Sequence, residues 1–430
     1  MIERNKYLNQ LINKKENGLV KVITGLRRSG KSYLLFNIFK SYLLSNDVSN
    51  DHIISIALDD IEMQRYWNPN DLNTYIRNKI INDGKTNFIF IDEIQFVKEV
   101  DNPYLPNSKI GFNDVVLGLM KIDNVDIYIT GSNSEMLSND ILTKFRGRSD
   151  QIHVMPLSFN EFYNYCKKDK NEAWNEYILF GGMPYILSLN SYEDKSLYLK
   201  KLFNETYIKD IIERENIKNN KSIIDDLLYM FSSSVGSLTN PLKIVNTFKS
   251  LKNISINSLT ISNYLNYLLD SFLIEKVERY DIKGKKYIST PTKYYFSDIG
   301  LRNALLNFTD IEEAYIMENI IYNELIYRDY NVDVGVVETF YKDENKKTKR
   351  SHYEIDFVCN KGNDKCYIQV AYAIPDKEKR IQEIRGFNLI KDSFKKIVII
   401  KDNIIPRKDE NGILYVGIID FLLNGQYLAN

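Results

Sequence analysis

The stretch GLRRSGKS at residues 25–32 decides the fold class of this chain. It matches the pattern G-x-x-x-x-G-K-[ST], whose glycines let the backbone wrap a phosphate chain with its N–H groups facing inward. The apolar run Val20–Thr24 precedes it and the amphipathic segment Tyr33–Leu44 follows, which predicts a turn between a strand and a helix. A helix N-terminus and the Lys31 ammonium can bind the phosphates of a nucleoside triphosphate, and the Ser32 hydroxyl can bind its Mg²⁺ ion. We therefore predict ATP and Mg²⁺ as ligands. The residues predicted to contact the nucleotide are Gly25, Leu26, Arg27, Arg28, Ser29, Gly30, Lys31, Ser32 and Tyr33.

Two carboxylates end a later apolar run. Asn87–Ile91 is followed directly by Asp92 and Glu93. Asp92 suits the ligand shell of Mg²⁺, and Glu93 suits orientation of the attacking water. The pair favours hydrolysis over phosphoryl transfer to a small acceptor. Without the upstream loop, an exposed strand end would be an equally good interpretation.

Polar residues after a third apolar run are candidates for sensing the γ-phosphate. Ile127–Thr130 is followed by Gly131 and then by Ser132 and Asn133. Either Asn133 or Ser132 would lie between the two earlier elements, within reach of the γ-phosphate or the water. The alternative is a plain turn.

Two arginines follow in the segment FRGR. An arginine at the edge of such a domain can stabilise transition-state charge in the site of a neighbouring subunit. Arg148 and Arg146 are the candidates, and this interpretation predicts a homo-oligomer. A solvated loop is the alternative. Arg27 and Arg28 could contact phosphate or a partner.

The composition excludes several classes of protein. The 430 residues include 57 basic and 57 acidic side chains, so the chain is neither a histone-like polycation nor an acidic-tail protein, although a local basic patch is compatible. The 31 Tyr and 21 Phe indicate a globular chain. Three Cys and three His are too few and too scattered for a disulfide framework or a His-based metal site. A charged N-terminus and the lack of an apolar run near the roughly 18 residues of a membrane span predict a cytoplasmic protein without a membrane partner.

The order of predicted elements changes at Pro156. Before it, apolar runs alternate with amphipathic stretches, which predicts parallel βαβ crossovers and an α/β fold. The predicted strands are Val20–Thr24, Ile53–Leu58, Phe88–Asp92, Ile127–Thr130 and Ile152–Met155. After Pro156, helices continue to about Leu251, and the helix Ser258–Ser271 leads into a predicted hairpin around Lys283–Lys285, an order typical of a winged helix. The pattern of predicted strands and helices in the last part of the chain indicates another α/β unit.

Several motifs occur in a fixed order along the chain: GLRRSGKS, IFIDEIQ, YITGSNS, LTKFRGRS, MPLSFNEF and FGGMPYIL, and later YEIDFV and YIQVAY. In these motifs the chain resembles a group of prokaryotic AAA-type P-loop ATPases whose C-terminal domain, DUF4143, is similar to restriction-endonuclease-like PD-(D/E)xK folds. The resemblance covers nearly the whole chain, and its N-terminal motifs are the more specific. It implies ATP binding and hydrolysis. It also implies an AAA-like P-loop ATPase core at residues 1–156, a helical lid at 157–220, a winged-helix-like module at 221–307 and a nuclease-like α/β domain at 308–430.

The nuclease-like domain departs from the pattern that cleavage requires. Two-metal cleavage needs carboxylates that hold Mg²⁺ and a lysine near the attacking water. Asp356 fits the first position, but the next strand offers Gln369 and Ala371 where the pattern has a carboxylate and a lysine. Glu324 and Glu354 are candidate extra ligands. Losing the lysine removes a cationic partner of the transition state, so we predict a domain that does not cleave. The alternative for Glu354 and Asp356 is plain strand alternation, with both acids facing solvent.

The winged-helix-like module is the candidate contact with DNA. Its candidate recognition helix, Ser258–Ser271, has no Lys or Arg, although phosphate neutralisation dominates DNA affinity. The wing is more basic and contains Arg279, Lys283, Lys285 and Lys286, with Lys293 nearby. A packing or protein-contact role is the alternative.

Taken together, these patterns predict a cytoplasmic ATPase that works as a nucleotide-driven switch. The predicted catalytic residues are Glu93, Lys31, Asn133 and Arg148, and the predicted Mg²⁺ ligands are Ser32 and Asp92. The switch is expected to act on nucleic acid. The alternatives are an ATP-dependent protein-interaction module without nucleic acid and an ATP-regulated nuclease.

Overall fold

The computed structural model describes residues 2–131, 145, 147–204, 221–233, 235–252, 254–309, 312–342 and 348–428. The chain divides into two compact units. The first contains Met1–Pro156 with Asp270–Phe272, and the second contains Leu157–Leu269 and Leu273–Asn430. Three of the predicted site residues, Ser132, Asn133 and Arg146, lie outside the described residues.

A parallel sheet forms the centre of the first unit. In the described part it consists of β1 (Val20–Thr24), β2 (Ile53–Ala57), β3 (Asn87–Asp92), β6 (Val125–Thr130) and β7 (Ser149–His153). The strands lie in the order β2-β3-β6-β1-β7, and every neighbouring pair is parallel. The short strands β4 (Val100–Asp101) and β5 (Lys109–Ile110) form a separate antiparallel pair. The predicted parallel α/β arrangement is confirmed.

Helices cover both faces of this sheet because its strands carry apolar side chains on both faces. On one face, Phe39 packs against Phe90 and Tyr128, with ring centroids 5.8 and 5.0 Å apart. On the other face, Ile89 belongs to a buried cluster that includes Val116. The helices are Asn5–Lys14, Lys31–Tyr33, Lys40–Ser45, Pro69–Lys79 and Phe112–Leu119, with a π-helical turn at Leu34–Phe39 and 3₁₀ turns at Asn50–His52, Ile61–Trp67 and Ile94–Phe96.

The second unit is built on a mixed sheet. Its described strands are β8 (Ile274–Asp281), β9 (Lys286–Phe296), β10 (Asn331–Lys342), β11 (Thr348–Lys361), β12 (Asp364–Ala371), β13 (Lys395–Ile400), β14 (Arg407–Lys408) and β15 (Leu414–Gly417). They lie in the order β14-β15-β13-β12-β11-β10-β8-β9. The predicted hairpin forms as β8 and β9, and β8 also pairs in parallel with β10, where Arg279 lies opposite Val334. The hairpin that was predicted as a wing therefore shares one sheet with strands β10 to β15.

Aromatic packing joins this sheet to a long helix. Tyr295 of β9 stacks on Tyr322 with ring centroids 4.5 Å apart, and Phe357 of β11 lies 5.9 Å from Tyr295. From residue 159 onward the helices are Phe159–Cys166, Lys170–Phe180, Tyr192–Lys201, Lys221–Ser233, Pro241–Thr247, Ser258–Asp270, Ile299–Leu305, Glu313–Tyr327, Lys377–Asn388 and Ile418–Leu423, with a π-helical turn at Phe248–Lys252 and 3₁₀ turns at Pro184–Ser188 and Gly425–Tyr427. Within the described ranges, none of the helices has both the length and the apolar character of a membrane span.

Candidate nucleotide-binding site

The loop Gly25–Ser32 follows the carboxyl end of β1, between the neighbouring strands β6 and β7. Gly25 has a φ of +134°, and a Cβ atom there would lie 2.2 Å from the carbonyl oxygen of Val154. Arg28 and Gly30 also have left-handed backbone conformations, with φ values of +66° and +97°. These residues turn the backbone tightly in front of a helix N-terminus, which is the arrangement that binds phosphate in proteins.

The Lys31 side chain is buried within the loop. Its ammonium donates to the carbonyl oxygens of Gly25 and Leu26, each at 3.0 Å. Burial lowers the pKa of Lys31 to about 8, although the carboxylates of Glu93 and Asp92 act in the opposite direction. The ammonium therefore lies close to the loop backbone and to the two acids, which is the position expected of a lysine that binds phosphate.

Asp92 lies at the carboxyl end of β3, beside the end of β6. The Thr130 hydroxyl donates to Asp92, and the Ser32 side chain also forms a hydrogen bond with it. Burial raises the pKa of Asp92, while the hydrogen bonds from Thr130 and Ser32 oppose this rise. The two predicted Mg²⁺ ligands, Ser32 and Asp92, are thus brought into direct contact.

Glu93 has an unusual backbone conformation for a glutamate. Its φ and ψ are 52° and 50°, in the left-handed region that costs non-glycine residues energy. Its N–H donates to the Thr130 hydroxyl at 3.1 Å, and the Gln95 side-chain amide donates to its carboxylate. Strained residues of this kind cluster at active sites, so the conformation agrees with a catalytic role for this carboxylate.

The donors and acceptors of the loop fit a magnesium-bound triphosphate. The Ser29 hydroxyl is fully buried, and no hydrogen-bond partner for it lies among the described residues. No three Asp, Glu, His or Cys side chains within the described ranges converge on a metal position. Mg²⁺ commonly uses one or two protein ligands together with substrate phosphates and water, which matches Ser32 and Asp92.

Three family models match the chain in series. An AAA domain matches residues 17–163, a domain of unknown function (DUF8612) matches 171–312, and a second one (DUF4143) matches 315–419. An uncharacterized protein of Haemophilus influenzae is 33% identical over 428 residues, which cover 98% of this chain and 99% of that protein. The chain belongs to the same family as this Haemophilus influenzae protein, and residues 17–163 of the chain match the AAA domain. An uncharacterized protein of Methanocaldococcus jannaschii is 32% identical over 395 residues, covering 87% of this chain and 79% of that protein.

Two solved structures align with part of this chain. A Walker-type ATPase of Pyrococcus abyssi aligns with a TM-score of 0.46 and 15% identity over 71% of this chain and 96% of that chain. The Aeropyrum pernix Orc1 protein in complex with DNA aligns with a TM-score of 0.33 and 11% identity over 72% of this chain and 94% of that chain. The family match and the loop geometry make the first unit a nucleotide-binding AAA-type ATPase core.

The predicted arginines of the AAA domain lie in different places. Arg27 is half-buried and Arg28 is exposed on the loop itself, where Tyr33 is also exposed. Arg148 is exposed and immediately precedes β7, whose first residue pairs with Val20 at the start of β1. Because β1 and β7 are parallel, Arg148 lies at the sheet edge opposite the phosphate-binding loop. It is therefore absent from the site of its own AAA domain.

Two side chains of the AAA domain escaped the sequence analysis. Thr130 contacts both acids, and His153 lies beside Thr24, with its Nδ1 3.2 Å from the threonine Oγ1. Burial, followed by the charge of Lys31, lowers the pKa of His153 to about 4, so the ring is neutral near pH 7. The strand order would have revealed both residues, because it places the carboxyl ends of β3, β6, β1 and β7 side by side.

Two acidic residues of the DUF4143 segment, Asp356 and Glu324, lie in environments that the sequence did not predict. Asp356 does not face solvent: it is 7% exposed and accepts a hydrogen bond from the Val370 N–H at 2.7 Å. The alternation interpretation is therefore wrong for Asp356, because five successive residues of β11, 355–359, are buried. Glu324 pairs with Arg328 at 2.6 Å. Gln369 lies on β12, where the pairing of Phe357 with Ile368 brings it to a position next to Asp356.

The basic residues of the hairpin are also spread over different environments. Arg279 is half-buried in β8 between β9 and β10. Lys283 donates to the carbonyl oxygen of Glu338 at 3.2 Å, and Lys285 and Lys286 are exposed at the turn. The turn therefore presents three lysines to solvent, and the arginine is part of the sheet.

Proposed function

We propose that this AAA-family protein is a Mg²⁺-dependent ATPase that acts as a nucleotide-driven switch. The observation that carries the proposal is the convergence of Lys31, the Ser32–Asp92 contact and the strained Glu93 at one sheet edge. A γ-phosphate can order or release the elements that hold such residues, which is the basis of nucleotide switches.

Each residue has a distinct role in this proposal. The loop N–H groups and Lys31 bind the β- and γ-phosphates, and Ser32 and Asp92 hold the metal ion. Bound Mg²⁺ would neutralise charge that develops on the phosphates. Glu93 orients the attacking water, and Thr130 fixes the positions of both acids. Asn133 is proposed to sense the γ-phosphate.

The test is phosphate release from ATP by purified protein, with binding followed by a fluorescent ATP analogue. Lys31→Ala is expected to abolish binding and hydrolysis, since the loop then lacks its cation. The matched control is Lys85→Ala, which removes an exposed lysine of the same unit. Folded wild-type protein that ignores Mg-ATP and Mg-ADP at millimolar concentration would overturn the proposal.

Arg148 is proposed to complete the site of a neighbouring subunit in a homo-oligomer. Its exposure and its place opposite the loop are compatible with action in trans and not in cis. Mixing Lys31→Ala with Arg148→Ala protein tests this, because hybrid oligomers would pair an intact loop with an intact arginine. Recovery of hydrolysis in the mixture is expected. Mixtures no more active than the separate variants contradict the role.

DNA is the proposed target of the switch, and the exposed lysines of the β8–β9 turn support it. A gel-shift assay with plasmid and a short duplex, with and without Mg-ATP, separates this from the two alternatives. Salt-sensitive shifting without nicking supports DNA binding. No shift at low salt supports the protein-interaction module, and nicking that Asp356→Ala abolishes supports the nuclease.

A cytoplasmic setting also belongs to the proposal. The three free cysteines, all within the described residues, suit a reducing compartment.

A further inference from the structure

One short segment of the first unit comes from a distant part of the sequence. Asp270–Phe272 belongs to this unit, whose other residues end at Pro156. The segment follows the helix Ser258–Asp270 and precedes β8. It lies outside the match to the AAA domain at residues 17–163 and inside the match to DUF8612 at residues 171–312. The first unit therefore contains residues that the AAA domain itself does not supply.

Phe272 has a backbone conformation that is costly for a phenylalanine. Its φ is +57°, in the left-handed region. The N–H of Leu273 donates to the carbonyl oxygen of Leu268 at 3.1 Å, so Phe272 occupies the position after a helix that glycine usually takes. A glycine there would avoid the strain. The side chain of Phe272 is only 8% exposed, and we expect that its contacts are the reason why the strained conformation is kept.

The ring of Phe272 packs against His153. The centroids of the two rings are 4.9 Å apart, and their planes are inclined by 52°. His153 ends β7 and lies opposite Thr24, which ends β1. The imidazole Nδ1 is 3.2 Å from the Thr24 hydroxyl oxygen, and the N–H of Val154 donates to the carbonyl oxygen of Thr24 at 2.8 Å. The contacts of Phe272 therefore lead, through one histidine, to the residue that directly precedes Gly25.

The phosphate-binding loop begins at this point and rests on the same strand end. A Cβ atom on Gly25 would lie 2.2 Å from the carbonyl oxygen of Val154, so the first turn of the loop packs directly on the backbone that follows His153. The carbonyl oxygens of Gly25 and Leu26 hold the Lys31 ammonium. Besides burial, the charge of Lys31 lowers the pKa of His153, because the two side chains are close to each other.

We propose that Phe272 is a positioning residue of the phosphate-binding loop. Its ring holds His153 against Thr24, and this contact fixes the first turn of the loop, whose carbonyl groups place the Lys31 ammonium. Protein interiors are closely packed, so loss of the ring would leave a space into which His153 can move. The inference rests on the proposed nucleotide binding. It adds that a residue of the DUF8612 segment completes the site of the AAA domain.

The experiment compares Phe272→Ala with Phe272→Gly in the full-length protein. Both variants lose the ring, but only glycine also removes the backbone strain, so Phe272→Gly is expected to resist urea better than Phe272→Ala. Titration with a fluorescent Mg-ADP analogue measures affinity. Both variants are expected to bind about 10-fold more weakly than wild type, the smaller of the losses that follow removal of a residue supporting a metal-binding group. If Phe272 served only the stability of the fold, affinity would instead recover in the glycine variant.

The chain offers a matched control in Phe308. This phenylalanine also has a left-handed backbone conformation, with a φ of +61°, but it belongs to the second unit and its ring lies 5.7 Å from that of Phe180. Phe308→Ala is expected to bind Mg-ADP as wild type does. A double-mutant cycle tests the route through His153: Phe272→Ala should cost little further affinity in a His153→Ala background, because residues that act through one contact are not additive.

Two results would overturn the role of Phe272 and leave the proposed ATPase intact. One is a Phe272→Gly protein that binds Mg-ADP with wild-type affinity. This measurement holds even if Phe272→Ala or His153→Ala does not fold. The other is an additive cycle, in which the two substitutions act independently. Wild-type protein that binds no Mg-ADP would overturn the proposed function itself, and this inference with it.

Discussion

The Thr130 hydroxyl donates a hydrogen bond to the Asp92 carboxylate. It also accepts a hydrogen bond from the backbone N–H of Glu93, with 3.1 Å between the nitrogen and the hydroxyl oxygen. One side chain of β6 therefore fixes both acids that follow β3. Since Asp92 and Glu93 are proposed to act on the metal ion and on the water, respectively, loss of this hydroxyl should disturb both functions together.

Thr130→Val is expected to lower the rate of ATP hydrolysis about 10- to 100-fold, the usual effect of removing a group that orients a metal ligand. Valine keeps the shape and β-branching of threonine, so packing in β6 is retained. Phosphate release measures the rate, and a fluorescent nucleotide measures affinity, which should change little. Thr130→Ser keeps a hydroxyl and serves as the control. Equal losses in the Ser and Val variants would assign the effect to packing instead.

Glu93→Gln is expected to retain nucleotide binding and to lose hydrolysis by about 100-fold or more, the contribution of a positioned general base. The amide keeps the size of the side chain, and the contact between Ser32 and Asp92 is untouched. Glu99→Gln, at an exposed acid nearby, removes the same charge without touching the site. A Glu93→Gln protein that hydrolyses ATP at the parental rate would show that another carboxylate orients the water.

The affinity for Mg-ADP is expected to fall as pH rises above about 8, because the pKa of Lys31 is lowered to about 8, first by burial. Below that pH the lysine carries the charge that attracts phosphate. Above it, binding must first restore the proton, so affinity should approach a tenfold loss per pH unit. Titrations of wild-type protein between pH 7 and 9.5 measure this. Lys31→Arg stays charged throughout, so its weaker binding should be flat over the same range, and a flat wild-type profile would contradict the assignment.

The loop and its strands could be predicted because the signals are local: a short motif and runs of apolar residues. Thr130 and His153 could not, because their roles depend on which strands become neighbours. Lys293 shows the same limit. Lys293 lies on β9, and its ammonium is 2.8 Å from a carboxylate oxygen of Glu354 on β11, a contact that depends on how distant segments of the chain pack together.

Acid is expected to destabilise the first unit through His153. The unfolded ring binds a proton near its ordinary pKa of 6.5, but the folded ring does so only near 4. Between these values the unfolded state binds more protons, so stability falls as pH decreases, by up to about 1.4 kcal/mol per pH unit. His153→Gln cannot be protonated and should therefore gain stability relative to wild type between pH 6.5 and 4. Urea unfolding at several pH values, followed on the transition that ADP shifts, measures the difference. A constant difference would mean that His153 does not titrate there.

DNA binding, if it uses the β8–β9 turn, should depend on Lys285 and Lys286, which are exposed at that turn. Each lysine that neutralises a phosphate contributes nearly one unit to the slope of log affinity against log salt, so Lys285→Ala/Lys286→Ala should make that slope shallower by about two. Fluorescence anisotropy of a labelled duplex at several salt concentrations measures it. The matched control is Lys85→Ala/Lys121→Ala, which removes two exposed lysines from the first unit and leaves net charge equal. If both double variants lose the same affinity, general charge attracts the DNA; if neither loses any, the turn makes no phosphate contact. A selective loss in the turn variant would identify these two lysines as DNA contacts.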